Sequence, residues 1–134
     1  MKYLLDTNTC IAFLKSNQAA TTKIRSIGIE KLLLCSVVKV ELWFSACKSE
    51  RIAANQNVLN EFFMQFSSIP FDDKAIGHYG EIRALLTKIG KPIGANDLLI
   101  AAIAKANQLT LVTHNTKAFI RAPDLLLDDW LSQE

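Results

Sequence analysis

Proline and glycine are scarce, at three and five among 134 residues, and nowhere do they gather into a linker. No repeat or low-complexity tract breaks the chain either, so a single domain spanning residues 1–134 is expected. The few glycines form neither a G-x-x-x-x-G-K phosphate cradle nor a G-x-G-x-x-G turn, which removes P-loop NTPases and dinucleotide enzymes. Cys10, Cys35 and Cys47 contain no C-x-x-C pair and make an odd count. All three stand among apolar residues, so buried free thiols are expected in place of zinc ligands or disulfides. Uncharged apolar runs such as Leu98–Ala104 are far too short for a bilayer. Only Tyr3–Leu5 are apolar ahead of Asp6, too little for a signal-peptide core, and the chain reads as cytoplasmic with no membrane part.

Positive charge is missing only at the end. From Asp124 onward there are four acids (Asp124, Asp128, Asp129, Glu134) and no Lys or Arg, leaving 15 basic against 9 acidic groups, or +6, in residues 1–123. A modestly basic body is compatible with a nucleic-acid partner but does not specify one.

What is present is a globular composition, half hydrophobic and 21% charged. Apolar runs at Lys2–Leu5, Leu32–Cys35, Ile69–Phe71 and Thr110–Thr113 read as strands, with a small edge strand at Leu125–Leu127. Helical spacing predicts helices over Cys10–Leu14, Ala19–Ile27, Val37–Lys48 with Ser36 as its cap, and most of Arg51–Phe66. Tyr79, Ile82, Leu85, Leu86 and Ile89 line one face of a further helix, which Gly90 and Pro92 end. An alanine-rich helix follows from Asp97 to Asn107, and a short helical turn stands near Lys117–Ile120. This alternation predicts an α/β fold with a mainly parallel sheet of four to five strands, whose site should lie outside the C-terminal strand ends.

Three acids stand where packing alone would not put them. Asp6 directly follows the first strand. Glu41 interrupts the run Val37, Val38, Val40, Leu42, Trp43, Phe44 on the helix that leaves the second strand. Asp97 opens a helix whose next seven residues carry no polar group. Each has a plain alternative: Asp6 as a strand-ending cap, Glu41 on a thin solvent stripe with Lys48 and Glu50, Asp97 as a first-turn acid favoured by the helix dipole. Yet all three map to one end of the sheet, and Lys39, the nearest cation in sequence, falls on another helical face. An isolated buried carboxylate is costly, so converging ones should be paired, protonated or bound to a cation. Mg²⁺ takes oxygen ligands at about 2.0–2.1 Å and commonly uses one or two carboxylates with substrate phosphate. Asn115, in Thr113-His114-Asn115 after the fourth strand, brings an amide to the same end, and a turn asparagine is its alternative reading.

These residues in this order, with Pro92-Ile93-Gly94-Ala95-Asn96-Asp97 entering an Ile-Ala-Ala helix, Phe119, and the closing Asp128-Asp129-Trp130, resemble the VapC family of PIN-domain proteins over nearly the whole chain. The resemblance implies an α/β/α sandwich and an endoribonuclease dependent on Mg²⁺ or Mn²⁺, acting as the toxin of a toxin–antitoxin pair. Asp6, Glu41 and Asp97 would match the family's metal-binding acids. Thr113, Asn115 and Asn8 would match supporting polar positions; many PIN proteins carry an aspartate where Asn115 stands. A homodimer, a VapB-like antitoxin, and a tRNA substrate, with initiator tRNA favoured by analogy, are also implied. A PIN-type nuclease acting on other RNA or DNA, and a non-catalytic PIN-like binding module, are the alternatives. A haloacid-dehalogenase phosphatase would want an aspartate two residues after Asp6, where Asn8 stands.

Around this set, Arg83, Lys88 and Lys91 precede Asp97, and Arg83 is the best candidate for RNA phosphate because a guanidinium grips it bidentately. His114 offers an acid or base beside the site, or a plain surface residue after a strand. Trp43, Phe44 and Leu42 make their helix apolar nearly all round, as either a deep core helix or a partner-binding face would be.

Overall fold

The computed structural model describes residues 1–131; Glu134, counted above among the closing acids, lies outside them. Five strands form one sheet in the order β3-β2-β1-β4-β5, every neighbouring pair parallel. They are β1 (Tyr3–Leu5), β2 (Leu32–Cys35), β3 (Ser67–Ile69), β4 (Thr110–Val112) and β5 (Leu127–Asp128). The helices are α1 (Thr7–Leu14), α2 (Gln18–Ile27), α3 (Ser36–Cys47), α4 (Ile52–Met64), α5 (Ile76–Lys88), α6 (Ala95–Ala106) and α7 (Thr116–Phe119). In the central β1, Leu4 and Leu5 are fully buried, as are Leu111 and Val112 of β4, the near-continuous apolarity that helices on both faces demand.

The strand order reverses between β1 and β4. From β1 the chain moves through β2 to β3, then returns across the sheet to β4 on the other side. Helices α1–α4 connect β1, β2 and β3, and α5 and α6 connect β3 to β4; the right-handed rule for parallel crossovers assigns the two sets to opposite faces, with a crevice where they part. The C-terminal ends of β1 and β4 meet there: Asp6 N donates to Val112 O at 3.0 Å.

Several boundaries differ from the sequence expectation. β3 is Ser67–Ile69, pairing with Leu33–Cys35, two residues ahead of the expected run. Pro70 has no N–H to continue a ladder, and an edge strand tolerates the exposed Ser67 and Ser68. β5 pairs Leu127 and Asp128 with Leu111 and Val112, starting two residues and ending one residue later than expected. α6 starts at Ala95 with Gly94 as its cap, so Asp97 is the third helical residue. Ser36 is the first residue of α3 and makes no capping hydrogen bond. On α5, Ile82 and Leu86 are buried, whereas Leu85 and Ile89 stay exposed. Cys10 and Cys35 are buried thiols, but Cys47, at the end of α3, is exposed.

The connection into α6 is set by a glycine. Gly90 has φ +72°, its N–H reaches Thr87 O at 3.1 Å, and Lys91 N reaches Leu86 O at 2.9 Å. This paired closure of a helix end requires a left-handed residue, and glycine takes it without strain. It turns Pro92–Gly94 back toward the C-terminal edge of the sheet and delivers Asp97 there. Among the described residues, no helix is long and apolar enough to cross a membrane.

Candidate active site

Asp6, Glu41, Asp97 and Asn115 line one cavity of about 130 Å³, together with Thr7, Asn8 and Ile100. The four elements that supply them leave the same end of the sheet, so residues scattered over the chain are gathered by topology. Arg83 does not line this cavity; it stands on α5 at a neighbouring one.

Asp6 has two jobs. Its Oδ1 accepts from Thr9 N at 3.1 Å, capping α1, so the plain reading of this aspartate holds. It remains buried, at 6% exposure, and borders the cavity. Burial raises its carboxyl above the ordinary range; the Thr113 hydroxyl and the Thr9 N–H and hydroxyl hold it down, and the Glu41 charge pushes it further up. Asp97 is raised as well, by burial first, then by Glu41, then by Asp6. The carboxylates therefore sense one another across the cavity. Lys39 relieves none of this, because its Nζ lies 5.1 Å from the centroid of the Phe63 ring.

Hydroxyl groups orient the acids. Thr7 Oγ1 donates to Glu41 Oε1, linking the first turn of α1 to α3. Thr113 is fully buried; its hydroxyl bonds Asp6, and its Oγ1 accepts from Asn115 N at 3.0 Å. Replacing Thr113 with valine is expected to cost about 1–3 kcal/mol, since an isosteric methyl strands both the Asn115 N–H and a buried Asp6 oxygen. A lower urea midpoint at unchanged slope would show it. Asn115 begins α7, yet its side chain makes no capping hydrogen bond, so its amide is left to the cavity. His114 instead faces β5, with Nδ1 3.1 Å from Asp129 Oδ2.

Two lining residues escaped the sequence reading as site residues. Thr7 was legible only as part of a cap. Ile100 had a usable signal, lying three positions after Asp97 on the same helical face.

The donor set is hard oxygen, which suits Mg²⁺ or Mn²⁺. Among the described residues no three His, Cys, Asp or Glu side chains are placed to hold a metal ion together. An ion that keeps several waters needs only one or two carboxylates directly, so the cavity fits that requirement and not the one of a structural zinc.

Comparison with known proteins gives the family. The PIN domain family model matches residues 3–125. Ribonuclease VapC2 of Rickettsia felis is 38% identical over 137 residues, covering 97% of this chain and 98% of that protein. The tRNA(fMet)-specific endonuclease VapC of Shigella flexneri is 35% identical over 130 residues, with coverage of 97% and 98%. The crystal structure of VapBC2 from Rickettsia felis, bound to a DNA fragment from their promoter, matches at a TM-score of 0.92 and 36% identity, covering 97% of this chain and 99% of that one.

Proposed function

The chain belongs to the VapC branch of the PIN-domain family, and on that premise we propose that it is a Mg²⁺- or Mn²⁺-dependent endoribonuclease, the toxin of a toxin–antitoxin pair. Its substrate is tRNA, initiator tRNA first, and a VapB-like antitoxin restrains it in a hetero-oligomer; the relatives' names and the antitoxin-bound neighbour support both statements. The observation that carries the reading is the meeting of Asp6, Glu41 and Asp97 around one small cavity at the point where strand order reverses.

Asp6, Glu41 and Asp97 are the residues to hold the ion, which when bound would acidify and orient a water and offset charge building on the phosphodiester. The chain's own contribution is positioning. Thr113 fixes the Asp6 carboxylate from the residue after β4, and Thr7 fixes that of Glu41 from α1. Asn115 offers an uncharged amide that donates or accepts without adding to the negative charge. Ile100 supplies apolar wall, limiting water beside the reacting phosphate.

The test is cleavage of initiator and elongator tRNAs by purified protein. Cutting is expected with Mg²⁺ or Mn²⁺, none with excess chelator, and recovery when the ion is restored. Cleavage that persists under chelation would sink the metal-dependent reading, and equal cutting of all tRNAs would remove the initiator preference.

A further inference from the structure

A second cavity, of about 180 Å³, lies between α5 and the start of α6. Tyr79, Arg83 and Leu86 wall it from α5, Pro92 and Ile93 from the connection, and Leu98 from α6. The two cavities share the opening turns of one helix: Leu98 borders this one, Asp97 and Ile100 the other. A helix with its side chains is about 10–12 Å across, so a strand lying over α6 reaches both.

Arg83 is held in place. Its Nη1 donates to Tyr79 Oη at 2.8 Å, one turn back on α5, and its Cζ lies 5.9 Å from the centroid of that ring. The Tyr79 ring in turn stands edge-on to Phe71, centroids 6.2 Å apart. Yet no carboxylate takes the Arg83 charge: among the described residues the one ion pair is His114 with Asp129. A guanidinium has five N–H donors in a fixed fork, and fixing it beforehand reduces the entropy lost on binding. Next to Pro92, the carbonyl of Lys91 accepts from Arg121 Nη1 at 3.0 Å. A phosphodiester approaching three carboxylates is repelled by them, so cations just outside that pocket are what an RNA strand requires.

We propose that this cavity is a nucleotide subsite for the RNA strand, with Arg83 gripping a backbone phosphate and the adjoining base seated against Pro92, Ile93 and Leu98. Single-stranded RNA is read through unstacked bases lodged on flat or apolar side chains, with Arg and Lys taking the backbone. The inference rests on the ribonuclease reading above and adds to it where the strand lies. Tyr79 is a positioning residue: it orients the guanidinium.

The experiment compares parent, Arg83→Ala, Arg83→Lys and Tyr79→Phe for binding of labelled initiator tRNA across a salt series, with chelator present to stop turnover. Arg83→Ala is expected to weaken binding about tenfold, the worth of a charge-assisted hydrogen bond, and to lower the salt slope by roughly 0.7–0.9, one phosphate contact. Arg83→Lys should keep the slope but not the full affinity, since an ammonium lacks the fork. Tyr79→Phe should weaken binding with the slope intact. In cleavage assays the Arg83→Ala loss should fall on KM more than on kcat. Unchanged affinity and slope in Arg83→Ala, while the parent still cuts RNA, would overturn the subsite alone. A changed oligomeric state with unchanged RNA affinity would mark the surface as a contact between copies and overturn it too. A parent that neither binds nor cuts RNA would remove the ribonuclease reading itself.

Discussion

Asparagine in place of Asp6 or Asp97 is expected to lower RNA cleavage by more than about a hundredfold, while raising the melting temperature of the metal-free protein at neutral pH. Losing a mere outer partner of a metal ligand costs about 10–100-fold in affinity or activity, so losing a ligand should exceed that. The opposite sign on stability follows from the same carboxylates. Each has its folded-state pKa raised, chiefly by burial, with charge from the other acids added. An acid raised in this way holds its proton more tightly when folded. Its favourable contribution is complete below the ordinary carboxylate range, near 3.9 for aspartate, and is lost as pH rises through the elevated value. At neutral pH both groups are therefore a load on the fold, which a neutral amide of equal size removes. Position 6 keeps its cap, because asparagine serves there as well as aspartate. Single-turnover cleavage and thermal melts from pH 4 to pH 8 check both halves. The stability gain should shrink toward the acid end; a gain that grows there would contradict the burial argument, and parental cleavage would take these aspartates out of the site.

Most of the fold was legible because its strands are short apolar runs cut off by polar residues, and because α6 is too uniformly apolar to lie anywhere but inside. The errors share a cause. Ile69–Phe71 looks more strand-like than Ser67–Ile69, but sheet pairing is decided by backbone N–H groups, and Pro70 lacks one. Leu85 and Ile89 fit the helical spacing of Ile82 and Leu86 but lie at the margin of the stripe, where periodicity cannot fix where burial stops. At the site, the acids drew notice because each sits in an apolar run, and the structure gathers them around one cavity. Thr7 could not be assigned its hydrogen bond from sequence, because a partner 34 positions away leaves no local trace.

The plain reading of the acids does not exclude the functional one. Asp6 caps α1, and Asp97 occupies the first turn of α6, as helix physics alone would ask. The strand-end position that calls for a capping acid is also where the sheet topology opens its crevice. Glu41 is the exception: half-buried on α3 and tied to Thr7, it serves no capping role, and the solvent stripe with Lys48 and Glu50 does not describe it. It lines the cavity with Asp6 and Asp97.

Adding Mg²⁺ or Mn²⁺ to metal-free protein is accordingly expected to raise the melting temperature of the parent and to do far less for Asp6→Asn, Asp97→Asn and Glu41→Gln. An ion that binds only the folded chain stabilises it by mass action, about 2.7 kcal/mol at a hundred times its dissociation constant. The physical source is the reversal of sign in the cavity: the negative charge that raises the proton affinity of Asp6 and Asp97 would instead attract a shared positive charge. Protons compete for the same oxygens, so the shift should fade as pH falls through the elevated carboxyl values. Differential scanning measurements with chelator, then with each ion, separate this from general salt effects, which would move parent and variants alike. A parent indifferent to both ions would show that Asp6, Glu41 and Asp97, though gathered around one cavity, do not act together on a cation.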